Sequence, residues 1–194
     1  MNAPSLPPAS VRRGRWALVA LCALFIGPIL LAMVLGYFNI HPQGVRSKGE
    51  LLAAKPDLRA FVLRHADGTP YPWAPEKRLW RVAVAPPPGY CAAHVEVCDT
   101  LAANLEKVRQ LLGKESDQAQ VLWFGPLPAG APQQPAWQAL QADGGLLAAL
   151  PRAHDPAGVP VYVIDPYGFV VLRYAPGFDP ADLRADLSKL LKLA

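Results

Sequence analysis

Residues 157–174, AGVPVYVIDPYGFVVLRY, decide the fold of the C-terminal part of the chain. The runs VPVYVID (159–165) and FVVLRYA (169–175) are rich in Val, Ile, Tyr and Phe, as strands are, and PYG between them is typical of a tight turn. The following stretch FDPADLRADLSKLLKLA (178–194) predicts a final amphipathic helix, capped by Asp179 with Pro180 in its first turn.

Upstream, RLWRVAVAPP (78–87) alternates in the manner of a strand and stops at a proline run, which predicts the first central strand. Apolar residues then recur three and four apart between Ala93 and Leu112, which indicates a helix that ends at Gly113. The predicted buried stripe of this helix consists of Val97, Leu101, Leu105, Val108, Leu111 and Leu112.

Three further segments complete the predicted element order. QVLWF (120–124) is a short apolar run and predicts a second core strand, and PAWQALQADGGLLAAL (135–150) predicts a broken second helix. RAFVLRHADGTPYPW (59–73) predicts a strand that runs into a turn at Asp67–Gly68. The central strand and the elements that follow it give an α/β domain of order β-α-β-α-β-β-α.

Residues 16–38, WALVALCALFIGPILLAMVLGYF, contain no charged side chain. At about 1.5 Å per residue, a helix of this length is sufficient to cross a hydrocarbon core of roughly 30 Å. The segment exceeds the apolar core of a cleavable signal peptide, and no clear small-x-small cleavage site follows it. It therefore predicts one uncleaved N-terminal transmembrane helix, in which Cys22 packs as an apolar residue.

Charge predicts the orientation of this anchor. Arg12, Arg13 and Arg15 border its N-terminal end, whereas the next basic residues, Arg46 and Lys48, lie further from its C-terminal end. The positive-inside rule then makes residues 1–15 a cytoplasmic tail and 59–194 an extracytoplasmic domain. Residues 39–58 mix Pro, Gly and charges without periodicity, which predicts a linker between the anchor and this domain. We expect a single-pass protein of a bacterial inner (cytoplasmic) membrane with this domain in the periplasm. The net charge of +4 is unclustered and gives no support to nucleic-acid binding.

Cys91, His94 and Cys98 form a cluster of reactive side chains near the start of the first predicted helix. Inside one helix the Cα atoms of Cys91 and Cys98 would lie about 10.5 Å apart, beyond the roughly 7 Å limit for a disulfide. The prolines before Cys91 predict a loop there, from which Cys91 could fold back. Three alternatives stay open: a structural disulfide, a metal or redox-switched site, and free thiols. The six-residue separation is unlike the C-x-x-C pair of thiol–disulfide oxidoreductases, which makes this enzyme class the minority interpretation.

The element order and the closing hairpin resemble a thioredoxin-like domain. In that fold a proline opens the third core strand and a glycine-containing turn leads to the fourth, positions matched here by Pro160 and Gly168. The resemblance gives Pro160 a structural role and makes Val159–Pro160 the candidate for a cis peptide bond.

Within thioredoxin-like proteins, the anchor, WRVAV (80–84), LEKVRQLLGKESDQAQVLWF (105–124) and VYVIDPYGFVVLRY (161–174) resemble the Sco/SenC family of copper chaperones for cytochrome c oxidase, over residues 79–194. That family carries two cysteines with three residues between them in the first helix, and a histidine before the hairpin. Alignment places Cys98 on the second cysteine and His94 on the first, with Cys91 three residues earlier. The distal histidine position falls near Ala157, three residues from His154.

The resemblance implies an accessory factor for respiratory oxidase assembly that handles copper or maintains thiols at the periplasmic face. Its partners would be the membrane, a copper-bearing oxidase subunit and other assembly factors. The implied metal is Cu(I), a soft ion suited to thiolates, held by Cys91, Cys98 and either His94 or His154. The same Cys91 and Cys98 are the redox candidates. The competing interpretation is a non-metal interaction module on the same scaffold.

Overall fold

The computed structural model describes residues 8–37, 47–74, 77–141 and 143–192. The chain divides into two compact units, Met1–Arg46 and Ser47–Ala194. In the first unit, helix α1 covers Pro8–Tyr37 and contains Pro28, which agrees with the helix predicted in this region. Within the part of the chain that the structure describes, no helix is both long enough and apolar enough to cross a membrane.

The second unit is a six-stranded mixed sheet flanked by helices. Its strands are β1 Glu50–Leu51, β2 Trp80–Val84, β3 Ala119–Phe124, β4 Trp137–Leu140, β5 Val161–Ile164 and β6 Val170–Tyr174. Its helices are α2 Tyr90–Ala93, α3 Val95–Gln110, α4 Gly144–Ala149 and α5 Pro180–Leu190, with 3-10 turns at Leu58–Ala60 and Gly113–Gln118.

The sheet order is β1-β6-β5-β2-β3-β4. Strand β2 runs parallel to β3 and antiparallel to β5, β3 is parallel to β4, and β6 is antiparallel to both β5 and β1. The four inner strands, β6-β5-β2-β3, are the thioredoxin-like core that the sequence predicts. The hairpin turn is also confirmed, because Gly168 has a φ of +91° and its N–H donates to the carbonyl of Asp165 at 3.0 Å.

The two faces of the sheet bury separate apolar clusters. Trp80, Val82 and Val84 point to the face covered by α3 and α5, while Ala83 and Ala85 point to the face covered by α4 and the segment before β2. This alternation follows from the two-residue period of a strand. A central strand buried on both faces therefore carries the core.

Three predictions about the elements are wrong. The first half of the predicted second helix is strand β4, which pairs with β3, and the helix begins only after Asp143 caps it. The predicted strand at 59–73 forms only isolated bridges, although its turn at Asp67–Gly68 is present. The predicted linker 39–58 contains β1, so the folded part starts before residue 59.

The buried stripe of α3 also differs from its prediction. Leu105, Val108 and Leu112 are buried, but Val97 and Leu111 are 50% and 55% exposed. The buried positions of the first turns are instead Cys98 and Ala102. Farther along α3, Glu106 ties the helix to β4 by accepting from the indole N–H of Trp137 at 2.9 Å. Burial raises the pKa of Glu106, but hydrogen bonds from Arg109, Trp137 and Gln110 outweigh it and lower this pKa to about 2.

A fully buried guanidinium anchors the segment before β2. Arg81 donates from Nε to the hydroxyl of Tyr71 at 2.6 Å and from Nη2 to the carbonyl of Trp73, and its guanidinium lies 4.9 Å from the Trp73 ring centroid. Because a buried charge needs such partners, the 71–73 segment is an integral part of the fold.

A buried carboxylate anchors the start of the second unit. Oδ2 of Asp186 in α5 accepts from the backbone N–H groups of Lys48 at 2.6 Å and Gly49 at 2.9 Å, and from the hydroxyl of Tyr174 at 2.7 Å. Burial raises the pKa of Tyr174, and the hydrogen bond to Asp186 raises it further, so the hydroxyl stays a donor. One side chain thus joins the first residues of the unit to its last strand and last helix.

We expect Asp186→Ala to lower the free energy of unfolding by about 2–4 kcal/mol, because it leaves buried donors without an acceptor. Asp182→Ala is the matched control: Asp182 is on the same helix, is 42% exposed and lies 3.7 Å from the Lys48 ammonium. Its expected cost is less than about 0.5 kcal/mol. Urea unfolding of the full-length protein in detergent, followed by tryptophan fluorescence, measures both. Equal costs for the two variants would contradict the anchoring role.

Candidate functional site

Cys91 and Cys98 form a disulfide across a break between two helices. Their Cα atoms lie 5.6 Å apart, well below the roughly 10.5 Å expected for residues seven apart in one helix. The shortening occurs because α2 ends at Ala93 and α3 begins at Val95. Cys91 was predicted in a loop; it is helical, and the break after it brings it back to Cys98.

His94 is the residue at the break, with φ −131° and ψ 57°. Its backbone N–H and its ring Nδ1 both approach the carbonyl of Tyr90, at 2.9 and 3.0 Å. Its own carbonyl accepts from the N–H of Cys98 at 3.2 Å. His94 therefore ends one helix and caps the next.

The ring of His94 is exposed and stacks on the Tyr90 ring, with centroids 4.3 Å apart. Because Nδ1 faces a carbonyl oxygen, which only accepts, the neutral ring carries its proton on Nδ1. The lone pair of the neutral ring is then on Nε2. His94 can thus bind a soft metal ion through Nε2.

The two cysteines differ in access. Cys98 is 1% exposed and belongs to the core cluster under α3 and α5, whereas Cys91 is partly exposed and packs against the edge of that cluster. A thiol or disulfide of another molecule can reach Cys91 more readily than Cys98. Cys91 therefore provides the accessible sulfur of the pair, and Cys98 provides the buried one.

A cleft of about 480 Å³ lies beside the start of α2 and α3. Among the described residues that line it, Glu96 alone is charged, and most of the others are apolar. Its walls are Tyr90, Glu96, Val97, Thr100, Leu101, Asn104, Ala157, Gly158, Val159, Pro176, Gly177 and Phe178. Exposed Val97, placed in the core by the sequence pattern, is part of this surface.

Asp155 shapes the loop that forms one wall of the cleft. Its carboxylate accepts from the N–H of Ala157 at 3.0 Å and from Arg173, which is 2% exposed, at 2.5 Å. The N–H of Ala157 and the Arg173 guanidinium hold the pKa of Asp155 below its usual value. Sequence reasoning did not single out this pair, since an Asp and an Arg 18 residues apart carry no local signal.

The prediction of a cis Val159–Pro160 bond is wrong, because the described residues contain no cis peptide. Gly158 has a φ of +137°, and a Cβ there would lie 3.2 Å from Pro176. The Val159–Pro160 bond is trans, the form that X–Pro bonds favour. Pro160 is buried just before β5, which is consistent with a structural role.

His154 does not share the cleft beside the disulfide. It is exposed on the loop between α4 and β5 and lines a separate cleft of about 320 Å³. Among the described residues, no three His, Cys, Asp or Glu side chains converge as a metal-binding group. In the structure, Cys91 and Cys98 are bonded to each other and His94 lies at the helix break between them. His154 lines another cleft.

The fold and the cysteine pair define a thioredoxin-like domain with a disulfide at the start of its first core helix. Comparison of the sequence with known families agrees. The family described as "Transmembrane-like, thioredoxin-like, C-terminal domain" matches residues 80–194, and "Transmembrane-like, N-terminal domain" matches residues 8–39. The chain belongs to this transmembrane-like, thioredoxin-like family. A comparison with curated proteins found no match.

Similar solved structures include Sco proteins. Copper-bound ScoI of Bradyrhizobium japonicum is 15% identical, with a TM-score of 0.43 over 70% of this chain and 97% of that one. Copper-bound yeast Sco1 is 15% identical, with a TM-score of 0.47 over 78% and 96%. Apo Sco1 of Thermus thermophilus is 15% identical, with a TM-score of 0.47 over 79% and 99%. Membership of the family rests on the sequence matches and not on these similarities.

Proposed function

We propose that this protein is a membrane-anchored accessory factor for the assembly of a respiratory (cytochrome c) oxidase, working through reversible oxidation of Cys91 and Cys98. The observation that carries the proposal is the disulfide itself, with a partly exposed Cys91 beside a cleft and a buried Cys98 behind it. The sequence resemblance to the Sco/SenC family supports the choice of an oxidase as client.

The reduced pair can return a client disulfide to two thiols. The Cys91 thiolate attacks one client sulfur, breaks the client's S–S bond and forms a mixed disulfide. The Cys98 thiolate then attacks the Cys91 sulfur and releases the second client thiolate. Two electrons pass to the client and the Cys91–Cys98 bond forms. A dithiol reductant of the periplasm must reduce that bond before the next cycle.

The same pair can carry copper as cargo once it is reduced. Thiolate sulfur is a soft donor that suits Cu(I), and the 5.6 Å separation of the Cα atoms keeps both sulfurs close enough to share an ion. The bridged form offers no thiolate, so reduction must precede binding. His94, through Nε2, is the proposed third ligand because it lies between the cysteines in sequence, three residues from Cys91 and four from Cys98. His154 is the alternative and must approach from its separate cleft.

A non-metal interaction module is the second candidate. The observation that favours it is packing: Cys98 lies in the core and Cys91 packs against it, so the bond also pins α2 to α3. In this interpretation the disulfide is permanent, and the cleft beside it is the working surface. The two candidates differ in whether the thiols are needed.

The proposed location is the bacterial inner membrane, with 16–38 as a single span, 1–15 in the cytoplasm and the Ser47–Ala194 unit in the periplasm. The uncharged segment, the arginines before it and the match of the N-terminal family domain to residues 8–39 support this arrangement. The proposed partners are a copper-bearing oxidase subunit and other assembly factors at the periplasmic face.

Orientation is tested by fusing alkaline phosphatase after Ala194 in one strain and a cytoplasmic fluorescent reporter in another. We expect an active phosphatase and a dark fluorescent fusion, because the phosphatase needs an oxidising compartment for its disulfides. An inactive phosphatase together with a fluorescent reporter would reverse the topology.

The oxidase proposal is tested in a strain that lacks the gene, grown in copper-poor medium. We expect lower oxidase activity and less copper per oxidase, restored by the intact gene and by Cys22→Ala but not by Cys98→Ala or Cys91→Ser. Immunoblots control for the level of each variant. Unchanged activity and copper content in the deletion strain would reject a role in assembly. Restoration by both cysteine variants would favour the interaction module.

Copper handling is tested by titrating the reduced full-length protein in detergent with Cu(I) against a competing chelator, with Cys22→Ala as the background. We expect Cys98→Ala and His94→Ala each to weaken binding about 10-fold or more, equivalent to roughly 1.4 kcal/mol, and His154→Ala to leave it unchanged. If Cys98→Ala binds as tightly as the background protein, there is no such site.

A further inference from the structure

The break at His94 has no proline, glycine or serine to cause it. Sharp kinks occur at proline, at glycine or serine pairs, at π-bulges and where a side chain inserts into the helix hydrogen bonds; here the His94 ring Nδ1 lies 3.0 Å from the carbonyl of Tyr90 and shares that acceptor with the His94 N–H. Residues 90–98 read YCAAHVEVC and contain no proline, glycine or serine. The local sequence therefore does not require two helices here.

The break removes three backbone hydrogen bonds that one helix would make. Because His94 is not helical and α3 starts at Val95, the N–H groups of the described residues Val95, Glu96 and Val97 lie in the first turn of a new helix, without α-helical bonds to α2. A continuous helix would supply carbonyl partners from residues 91–93. The bent form is thus poorer in helix hydrogen bonds than a straight one.

The disulfide, in contrast, requires the break. A bond between cysteines needs Cα atoms within about 7 Å, and the observed 5.6 Å meets this limit. A straight helix would place the same atoms about 10.5 Å apart. The covalent bond therefore excludes the straight helix.

We infer that the Cys91–Cys98 bond holds the break, and that its reduction by a dithiol lets residues 90–110 form one continuous helix. Reduction adds two electrons and two protons to the two sulfurs and leaves the dithiol oxidised. This inference rests on the proposed function in one respect, that Cys91 and Cys98 become reduced in the cell. It adds to that function a change in the shape of the helix when the redox state changes.

The shape change alters the cleft. Tyr90 forms one wall, and its hydroxyl lies 3.5 Å from the position of a Cβ built on Gly158 in the opposite wall. Straightening the helix changes the position of Tyr90 relative to that wall. An ion held by both sulfurs separates them more than the disulfide does, but it still requires Cys91 and Cys98 to lie closer together than in a straight helix. The oxidised and loaded forms therefore both keep the break, and the empty reduced form loses it.

Hydrogen–deuterium exchange of the full-length protein in detergent, with Cys22→Ala, tests the inference at single-amide resolution. We expect the amides of residues 95–97 to exchange at least about 10-fold more slowly after reduction with dithiothreitol, because each gains a carbonyl partner. Cys91→Ser cannot form the bond and should show the same protection without reductant.

Val95→Pro is the matched control. Proline fits the first position of α3 in the bent form, but in a continuous helix it would clash with the carbonyl of Cys91. Val95 is exposed and lies outside the cleft lining. In this variant we expect the amides of residues 96 and 97 to exchange equally fast in both redox states.

Two results would overturn the inference: amides 95–97 that exchange equally fast before and after reduction, or a loss of protection at 98–101 because the start of α3 unfolds. Neither result touches the proposed function, which depends on the two thiols and is read from oxidase activity in the complemented strains.

Discussion

Strand β2 is the element on which the rest of the second unit depends. All of its residues are buried, and it pairs with β3 on one side and β5 on the other. Its alternate side chains supply the two apolar clusters, so the helices on both faces take their positions from one five-residue strand. The strand ends at Val84, Pro86 and Pro87 follow it, and the chain then starts α2 at Tyr90. The position of Cys91 at the edge of the core follows from where this strand stops.

The elements that could be predicted from the sequence are those with local signals. β2, β3, the closing hairpin and α5 carry alternation, a turn glycine or the Asp179–Pro180 start, and each is present. β4 was missed because WQAL fits a helix as well as a strand, and its pairing with β3 decides the matter. β1 was missed because its two residues carry no pattern; the hydrogen bonds of Lys48 and Gly49 to Asp186, some 137 residues away, place it beside β6.

In the candidate site, too, the features with a local sequence signal could be predicted and the others could not. Spacing left a disulfide between Cys91 and Cys98 as one of three alternatives. The prolines predicted a loop from which Cys91 could fold back, whereas the structure has helix α2 there and a break after it. The break at His94 could not be predicted, because apolar periodicity runs through residues 90–98 without a proline or glycine to mark an end. The position of Gly158 could not be predicted either, since its fit against Pro176 is visible only in three dimensions.

The carboxylate of Asp186 also determines how the unit bears a mechanical load. Tension applied to the chain at Ser47 first meets the two hydrogen bonds from Lys48 and Gly49, and through Asp186 it passes directly into α5 and, by the Tyr174 hydroxyl, into β6. The force is thus absorbed at one edge of the sheet, by the last elements of the chain. Strand β2 and the cysteine pair lie on other elements, so a pull along the polypeptide peels the β1 edge before it strains the disulfide.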